Sequence, residues 1–326
     1  MKKLLLSQAI DGFLLEKASQ QLSIHTVRDY TTTFRKFQTF LGGDPPFAGI
    51  SREQIMQFLA YLRTPQEHPG AVKMAAKPLS KKTILNYHTG LSALWTWAVL
   101  EGVTEEHLLH SIPRPDPEDP AVVPFSEQDV RALLAACDRC RPYTRPGQRP
   151  FDVERATASR DKALILIMLD TGARASELCE LLMKNIDLKN RRIMVLGKGD
   201  KERLLPLSAT TAKALWRYTN EERSEVHNGD PVFVSQDGRP FSRGALLQLL
   251  WHLGEKAGVV DCHPHRFRHT FAINFLRNGA NAYELQMALG HSTLEMVKRY
   301  LELANTDVEA AHKRASPVER WKLVTR

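Results

Sequence analysis

Cysteine is scarce in this 326-residue chain. Its four residues, Cys137, Cys140, Cys179 and Cys262, are too few and too scattered for a disulfide framework, so a reducing cytoplasm is the expected setting. No apolar run approaches the roughly 20 residues that a membrane span needs. The amino-terminal "MKKLLLSQAIDGFLLEKAS" offers only Leu4 to Leu6 before Asp11 and Glu16, so it reads as the start of a helix rather than a signal peptide. Low-complexity tracts are missing as well, and a 43% hydrophobic content can build real cores. Acidic excess is also absent: 45 Lys+Arg against 37 Asp+Glu leave a net charge of +8. That balance favours a polyanionic partner, with nucleic acid ahead of an anionic membrane. The length fits two domains of about 100–200 residues each.

What is present divides the chain. Residues 1–111 carry apolar residues at helical spacing in four stretches. One covers Gln8 to Ala18, and a second after Ser23 carries Val27, Tyr30, Phe34, Phe37 and Leu41. A third after Ser51 carries Ile55, Phe58, Leu59 and Leu62, and a fourth from near Ser80 carries Ile84, Tyr87, Leu91, Leu94, Trp95 and Ala98. This predicts a small four-helix domain. Between its third and fourth helices lie Lys73, Lys77, Lys81 and Lys82, which are either a solvated charge run or phosphate contacts at a helix amino terminus. Residues 112–125, "IPRPDPEDPAVVPF", hold five prolines and read as a semi-rigid linker.

Residues 126–326 predict an α+β domain, mainly α, with a small antiparallel sheet. A helix capped by Ser126 comes first, and "DKALILIMLDTGARASELCELLMKNID" reads as two helices broken at Thr171-Gly172. "RIMVLG" and "ERLLPL" read as strands joined at Lys198-Gly199-Asp200, with a third short strand expected in "PVFVSQDGRPFSR". Helices resume from Arg243. In "LGHSTLEMVKRYLELANTD", Ser292 and Glu295 form a capping-box pattern, and Met296, Val297, Tyr300 and Leu301 share a face. A tyrosine on such a face is ordinarily core packing.

Four patches in this half are odd for purely structural positions. Arg174 in "TGARASELCELL" stands at a helix start just after a Gly turn, where backbone N–H groups and a guanidinium make an anion site. Lys198, between Gly197 and Gly199, sits at a hairpin tip. In "CHPHRFRHTFA", His265 and His269 lie one turn apart, which invites a metal. Arg266 and Arg268 would, however, place fixed positive charge beside any cation, with no carboxylate near. The fourth patch holds His291 and Tyr300. Guanidiniums, a lysine, imidazoles and a phenol without an acidic cluster suit phosphoryl transfer with no metal and no cofactor.

Together, "TGARASELCELL", "GKGDKERLLPL", "HPHRFRHTFA" and "LGHSTLEMVKRY" resemble the four signature blocks of the tyrosine recombinases, the phage-integrase family, in its Xer-like branch. The resemblance covers residues 126–310 strongly. It extends more loosely over the first half, which resembles the family's four-helix (SAM-like) core-binding domain. It implies a site-specific recombinase of double-stranded DNA in which Tyr300 is the nucleophile and forms a 3′-phosphotyrosine. Arg174 and Arg268 would clamp the phosphate, Lys198 would protonate the leaving oxygen, His265 would help take the Tyr300 proton, and His291 would bond the phosphate. Glu177 would orient an arginine, and His269 would be structural. Lys73, Lys77, Lys81, Lys82, Arg203 and Arg243 are the expected DNA-backbone contacts, and no metal is implied.

A tetramer on two DNA sites, a two-domain clamp on DNA and a nucleoid-associated cytoplasmic location are further implications. So is a tail over about 311–326, with Val318, Trp321 and Leu323, that packs on an adjacent subunit or on its own domain. The separate arm-binding domain of some phage integrases is expected to be absent. The Cys140–Ala156 segment looks longer and more basic than in simpler Xer-like chains, as a DNA contact, a subunit contact or a surface insertion. A relaxing topoisomerase with the same tyrosine chemistry, a DNA-binding regulator with a decayed site and a His/Cys metalloprotein are the alternatives.

Overall fold

The structure is a computed structural model that describes residues 4–64, 78–117, 123–138, 154–197, 201–223, 226–304, 312 and 316–321. The chain divides into two compact units, Met1–Pro120 and Ala121–Arg326.

The first unit holds helices α1 (Leu6–Ser19), α2 (Ile24–Leu41), α3 (Arg52–Tyr61) and α4 (Lys81–Leu100). Serines open three of them. Ser23 and Ser80 each accept a hydrogen bond from the backbone N–H three residues on, and Ser51 forms a capping box with Gln54. The helical stripes meet in an aromatic core in which Phe13, Phe34, Phe37, Phe58 and Trp95 are at most 1% exposed. Its rings pack edge to face, Phe13 on Phe34 at 5.4 Å and Phe37 on Phe58 at 5.0 Å. Lys81 and Lys82 stand exposed on the first turn of α4; Lys73 and Lys77 lie outside the described residues.

The second unit opens with α5 (Glu127–Asp138), where Ser126 and Asp129 cap one another reciprocally. Helix α6 (Ala158–Thr171) runs through the core: Ala163, Leu164, Ile165, Ile167 and Met168 are all fully buried. A helix apolar on every side must be covered on every side, and α5, α8 (Ala209–Glu221) and α10 (Pro264–Arg277) do so. A buried ion cluster unseen in the sequence anchors its amino end. Asp161, fully buried, accepts from Arg155 at 2.5 Å and from Arg160 at 2.8 Å, and Arg160 lies over the Phe241 ring at 4.6 Å.

Two expectations change here. The helix after Gly172, α7 (Ala175–Cys179), is one turn long. The chain beyond it pairs instead with a distant segment, Val232 N–H donating to Leu181 and Met183 N–H to Asp230. The sheet has three antiparallel strands in the order β1 (Ile186–Asp187), β2 (Arg192–Leu196), β3 (Glu202–Pro206), with Arg192 opposite Pro206 and Leu196 opposite Glu202. Its third strand is therefore β1. "PVFVSQDGRPFSR" forms only isolated bridges at Pro231 and Pro240, residues that cannot donate to a ladder. Its neighbouring Val232 and Phe233 are both fully buried, which breaks strand alternation.

Helices α9 (Arg243–Ala257), α10, α11 (Ala282–Leu289), α12 (Glu295–Ala304) and α13 (Pro317–Arg320) complete the unit. Helix α12 begins at Glu295, not directly after Ser292, and the Leu294 carbonyl accepts from Val297 and Lys298. Val297, Tyr300 and Ala304 are buried in a small core with Ile273, Leu276, Leu285 and Leu289 of α10 and α11. Met296, expected on that face, is 50% exposed, because adjacent helical residues point about 100° apart. In the tail, Val318 and Trp321 are exposed, and Leu323 lies outside the described residues. Among the described residues no helix is long and apolar enough to cross a membrane.

Candidate active site

Two helix ends with left-handed glycines build the site. Helix α6 stops at Gly172 (φ +62°) and α11 at Gly290 (φ +62°). The carbonyls at such ends lack helical partners and carry partial negative charge. Arg268, on the buried face of α10 and 5% exposed, donates through Nη1 to the Gly172 carbonyl at 2.7 Å and through Nη2 to the Leu289 carbonyl at 2.8 Å. Arg174 reaches the same corner, its Nη2 standing 3.4 Å from the Gly290 carbonyl. The two guanidiniums thus converge on Leu289–Gly290. Burial, then Arg174, push the Arg268 guanidinium down to about 10, so it stays charged at neutral pH.

The corner depends on Gly172. A Cβ there would come within 2.6 Å of Phe271 and 2.9 Å of Leu289, on a backbone that L-residues avoid. Gly172→Ala is expected to destabilise the fold by about 2–4 kcal/mol, from left-handed strain plus overpacking. Urea unfolding measures it, and a loss below about 1 kcal/mol would contradict the argument.

Glu177, 3% exposed, lies among these cations. It accepts from the Arg174 backbone N–H at 2.7 Å and Nη1 at 2.8 Å, and from Arg203 Nη1 at 2.6 Å and Nη2 at 2.8 Å. Burial raises its pKa, but the bonds from Arg203 and Arg174 outweigh this and hold it below the usual carboxylate range. Arg203, expected on the DNA backbone, therefore has both terminal nitrogens on Glu177.

The phenol of Tyr300 is 6% exposed and lies 2.8 Å from His269 Nδ1. Its ring stacks at 6.5 Å from that of His291, whose Nε2 is 2.9 Å from Arg268 Nη2. Because a guanidinium can only donate, His291 Nε2 accepts and the ring proton sits on Nδ1. That atom is buried with no partner among the described residues. Burial, then the nearby cations, lower His291 to about 4 and His269 likewise to about 4; burial raises the Tyr300 phenol. At neutral pH the site holds two neutral imidazoles and a neutral phenol among fixed positive charges.

The histidine bonded to the Tyr300 phenol is thus His269, expected to be structural, while His265, expected to take the proton, lies one turn earlier on α10 with its surface exposed. Its ring is partly covered even so, and that partial burial first, then His263, Arg268, Arg174 and Arg243, lower its pKa. Arg243 is exposed at the first position of α9. Lys198 and most of the Cys140–Ala156 segment lie outside the described residues. Among the described residues no group of three or more His, Cys, Asp and Glu side chains could hold a metal ion. Burial pushes the Cys137 thiol up to about 12. A strand signal did point to Arg203: alternation in "ERLLPL" puts it on the inner face with buried Leu205, while Leu204 is 57% exposed.

A phenol, neutral histidines and paired arginines on a helical scaffold with one small sheet define an enzyme of the tyrosine-nucleophile, phosphoryl-transfer class. The Phage integrase family profile matches residues 125–307, and the Phage integrase SAM-like domain profile matches residues 8–112. The chain belongs to the phage integrase family and is a tyrosine site-specific recombinase. It is 28% identical over 318 residues to "Tyrosine recombinase XerD" of Pseudomonas aeruginosa, covering 96% of this chain and 97% of that one. It is 32% identical over 225 residues to "Tyrosine recombinase XerD" of Neisseria meningitidis serogroup B, covering 68% and 72%. Its fold is similar to that of the Tn1549 transposon integrase solved with a circular intermediate DNA, at a TM-score of 0.71 and 19% identity over 96% of this chain and 99% of that one.

Proposed function

We propose that the protein cuts and rejoins specific sites in double-stranded DNA through Tyr300. The carrying observation is the 2.8 Å bond between the phenol and His269, within a site that also contains the buried Arg268 guanidinium. In the reaction the Tyr300 oxygen attacks the scissile phosphorus, the bond to the 5′-oxygen breaks, and a 3′-phosphotyrosine forms. The phenol proton passes to His269 Nδ1, and Lys198 protonates the leaving 5′-oxygen. Arg174 and Arg268 stabilise charge on the non-bridging oxygens; the phosphate replaces His291 as an acceptor for Arg268 Nη2, and His291, changing to the tautomer with its proton on Nε2, donates to the phosphate. Fixed guanidiniums thereby supply the positive charge that a divalent ion supplies in other phosphoryl transfers. Because the phosphotyrosine conserves bond energy, rejoining needs no nucleotide.

Lys81, Lys82, Arg243 and the lysines at 73 and 77 contact the DNA backbone. Four protomers on two sites exchange strands through a Holliday junction, with the tail past residue 311 contacting a neighbouring subunit, in the cytoplasm at the nucleoid. The relatives named XerD and the DNA-bound Tn1549 integrase support this reading over the others. The test is a duplex of the bound sequence, recovered by selection from a random-centred library and nicked beside the cleavage position. Wild-type protein is expected to become linked to the 3′-phosphate and leave a free 5′-hydroxyl. No linkage on that duplex would refute the reading, and relaxation of any supercoiled plasmid without a site requirement would favour a topoisomerase.

The proton path makes a pH prediction. Wild-type cleavage is expected to vary little between pH 7 and 9, since His269 is already neutral there. In His269→Gln the phenol must ionise unaided, so single-turnover cleavage should rise about tenfold per pH unit below the phenol pKa. Parallel profiles for the two proteins would remove His269 from the proton path.

A further inference from the structure

We infer that Arg203 is a positioning residue for cleavage: it holds Glu177 so that Arg174 keeps a free guanidinium edge for the phosphate. The inference rests on the proposed reaction and extends it to a side chain that does not touch the substrate.

The argument is one of valence. A carboxylate offers about four lone-pair sites. At Glu177 all four are occupied: two by Arg203, one by the Arg174 backbone N–H and one by Arg174 Nη1. Glu177 therefore takes a single terminal nitrogen of Arg174, whose Nη2 makes only the long 3.4 Å approach to Gly290. Without Arg203, two acceptor sites on a 3% exposed carboxylate fall open beside Arg174. A fork-to-fork pair is the favoured arrangement for guanidinium and carboxylate, so Arg174 would turn into Glu177 and away from the phosphate. The charge count moves the same way. Arg174, Arg203 and Arg268 against Glu177 leave two net positive charges; without Arg203 one remains.

The surroundings fix Arg203 in this duty. Its side chain is 14% exposed, and a Cβ at Gly290 would come within 3.0 Å of Nη1 and 3.2 Å of Cδ, so the glycine corner lies directly against it. The Nε atom is buried without a partner among the described residues, as expected of a guanidinium placed for its terminal fork. Arg203 also sits on β3, the strand that follows the Lys198 tip, so one side chain ties that hairpin to Arg174 and to the corner before His291. Its charge contributes to lowering both Arg268 and His291.

The test uses the full chain and the nicked duplex described above. Arg203→Ala is expected to slow single-turnover covalent attachment by about 10²-fold, the scale of a small misplacement of a reacting group. Affinity for the intact duplex, and its salt dependence, should stay as in wild type. Arg203→Lys keeps the charge but not the fork, and should recover only part of the rate. In a Glu177→Gln background, Arg203→Ala should add less than about threefold, because the two act as one unit. Full additivity, or a salt slope reduced by about one, would make Arg203 a direct phosphate contact and overturn the inference. If Arg203→Ala does not fold, Arg203→Lys in the same cycle decides. If wild-type protein fails to attach, the proposed reaction is refuted; if wild type attaches and Arg203→Ala matches it, only the role of Arg203 is.

Discussion

Tyr300→Phe protein is expected to bind its DNA site with wild-type affinity and never to become covalently attached. The phenyl ring retains the packing of Tyr300 against Val297, Ala304 and the α10–α11 surface, so α12 keeps its seat. What disappears is one oxygen and its bond to His269, a loss of about 1 kcal/mol in stability. Thermal melts should therefore lie within a few degrees of wild type. Electrophoresis of the nicked duplex under denaturing conditions measures attachment, and any residual adduct in the variant would place the nucleophile elsewhere. At 6% exposure the ring is not presented to solvent in the DNA-free chain. The phenol, raised by burial, faces a histidine held near 4, so proton transfer is strongly uphill at rest. Burial is the first cause of the low His269 value, with His265, Arg299, His263 and Arg268 behind it, so a phosphate anion beside Arg268 is expected to raise it only in part.

The same depressed histidines set the acid response of the fold. An unfolded histidine binds a proton below about 6.5, whereas His269 and His291 do so only near 4. Between those values the unfolded chain carries more protons than the folded one, so stability falls as pH falls through that window. Melting temperatures at pH 7 and pH 5 should show the decline, and His269→Gln should lessen it.

Much of this site could be read from the residues. Arg174, Arg268, His291 and Tyr300 stand in three separated blocks, yet each block carries its own local signal, and the structure brings the four side chains to one site. The helices of the first unit were legible for a similar reason: a 3.6-residue stripe and a serine cap are local properties. What failed to show locally was decided by tertiary pairing. Whether His265 or His269 meets the phenol depends on where α12 crosses α10, which no spacing within "HPHRFRHTFA" encodes. Helix α7 stops after one turn because Leu181 and Met183 pair with chain some 50 residues away. Arg203 was half legible: alternation in "ERLLPL" turns it inward, but nothing local in the strand names Glu177, 26 residues away, as its partner in place of the DNA backbone.

Removing Arg268 should cost the most after the nucleophile itself. Arg268→Ala is expected to lower single-turnover cleavage by about 10³-fold or more, since a preorganised donor facing charge that develops at phosphorus is lost from a water-poor site. It also strips hydrogen bonds from the Gly172 and Leu289 carbonyls and from His291 Nε2. Each buried acceptor left unpaired costs about 1–3 kcal/mol, so part of the defect will be in folding. Arg268→Lys separates the two effects. An ammonium keeps the charge and can reach one carbonyl, which should restore most of the stability. It cannot hold two carbonyls at once and still present a fixed edge to phosphate, so cleavage should remain at least about 10²-fold below wild type. Urea unfolding and covalent trapping on the same preparations give both quantities. A stable Arg268→Lys protein that cleaves within a few-fold of wild type would mean that positive charge alone, and not the fork locked between two helix ends, carries the catalysis.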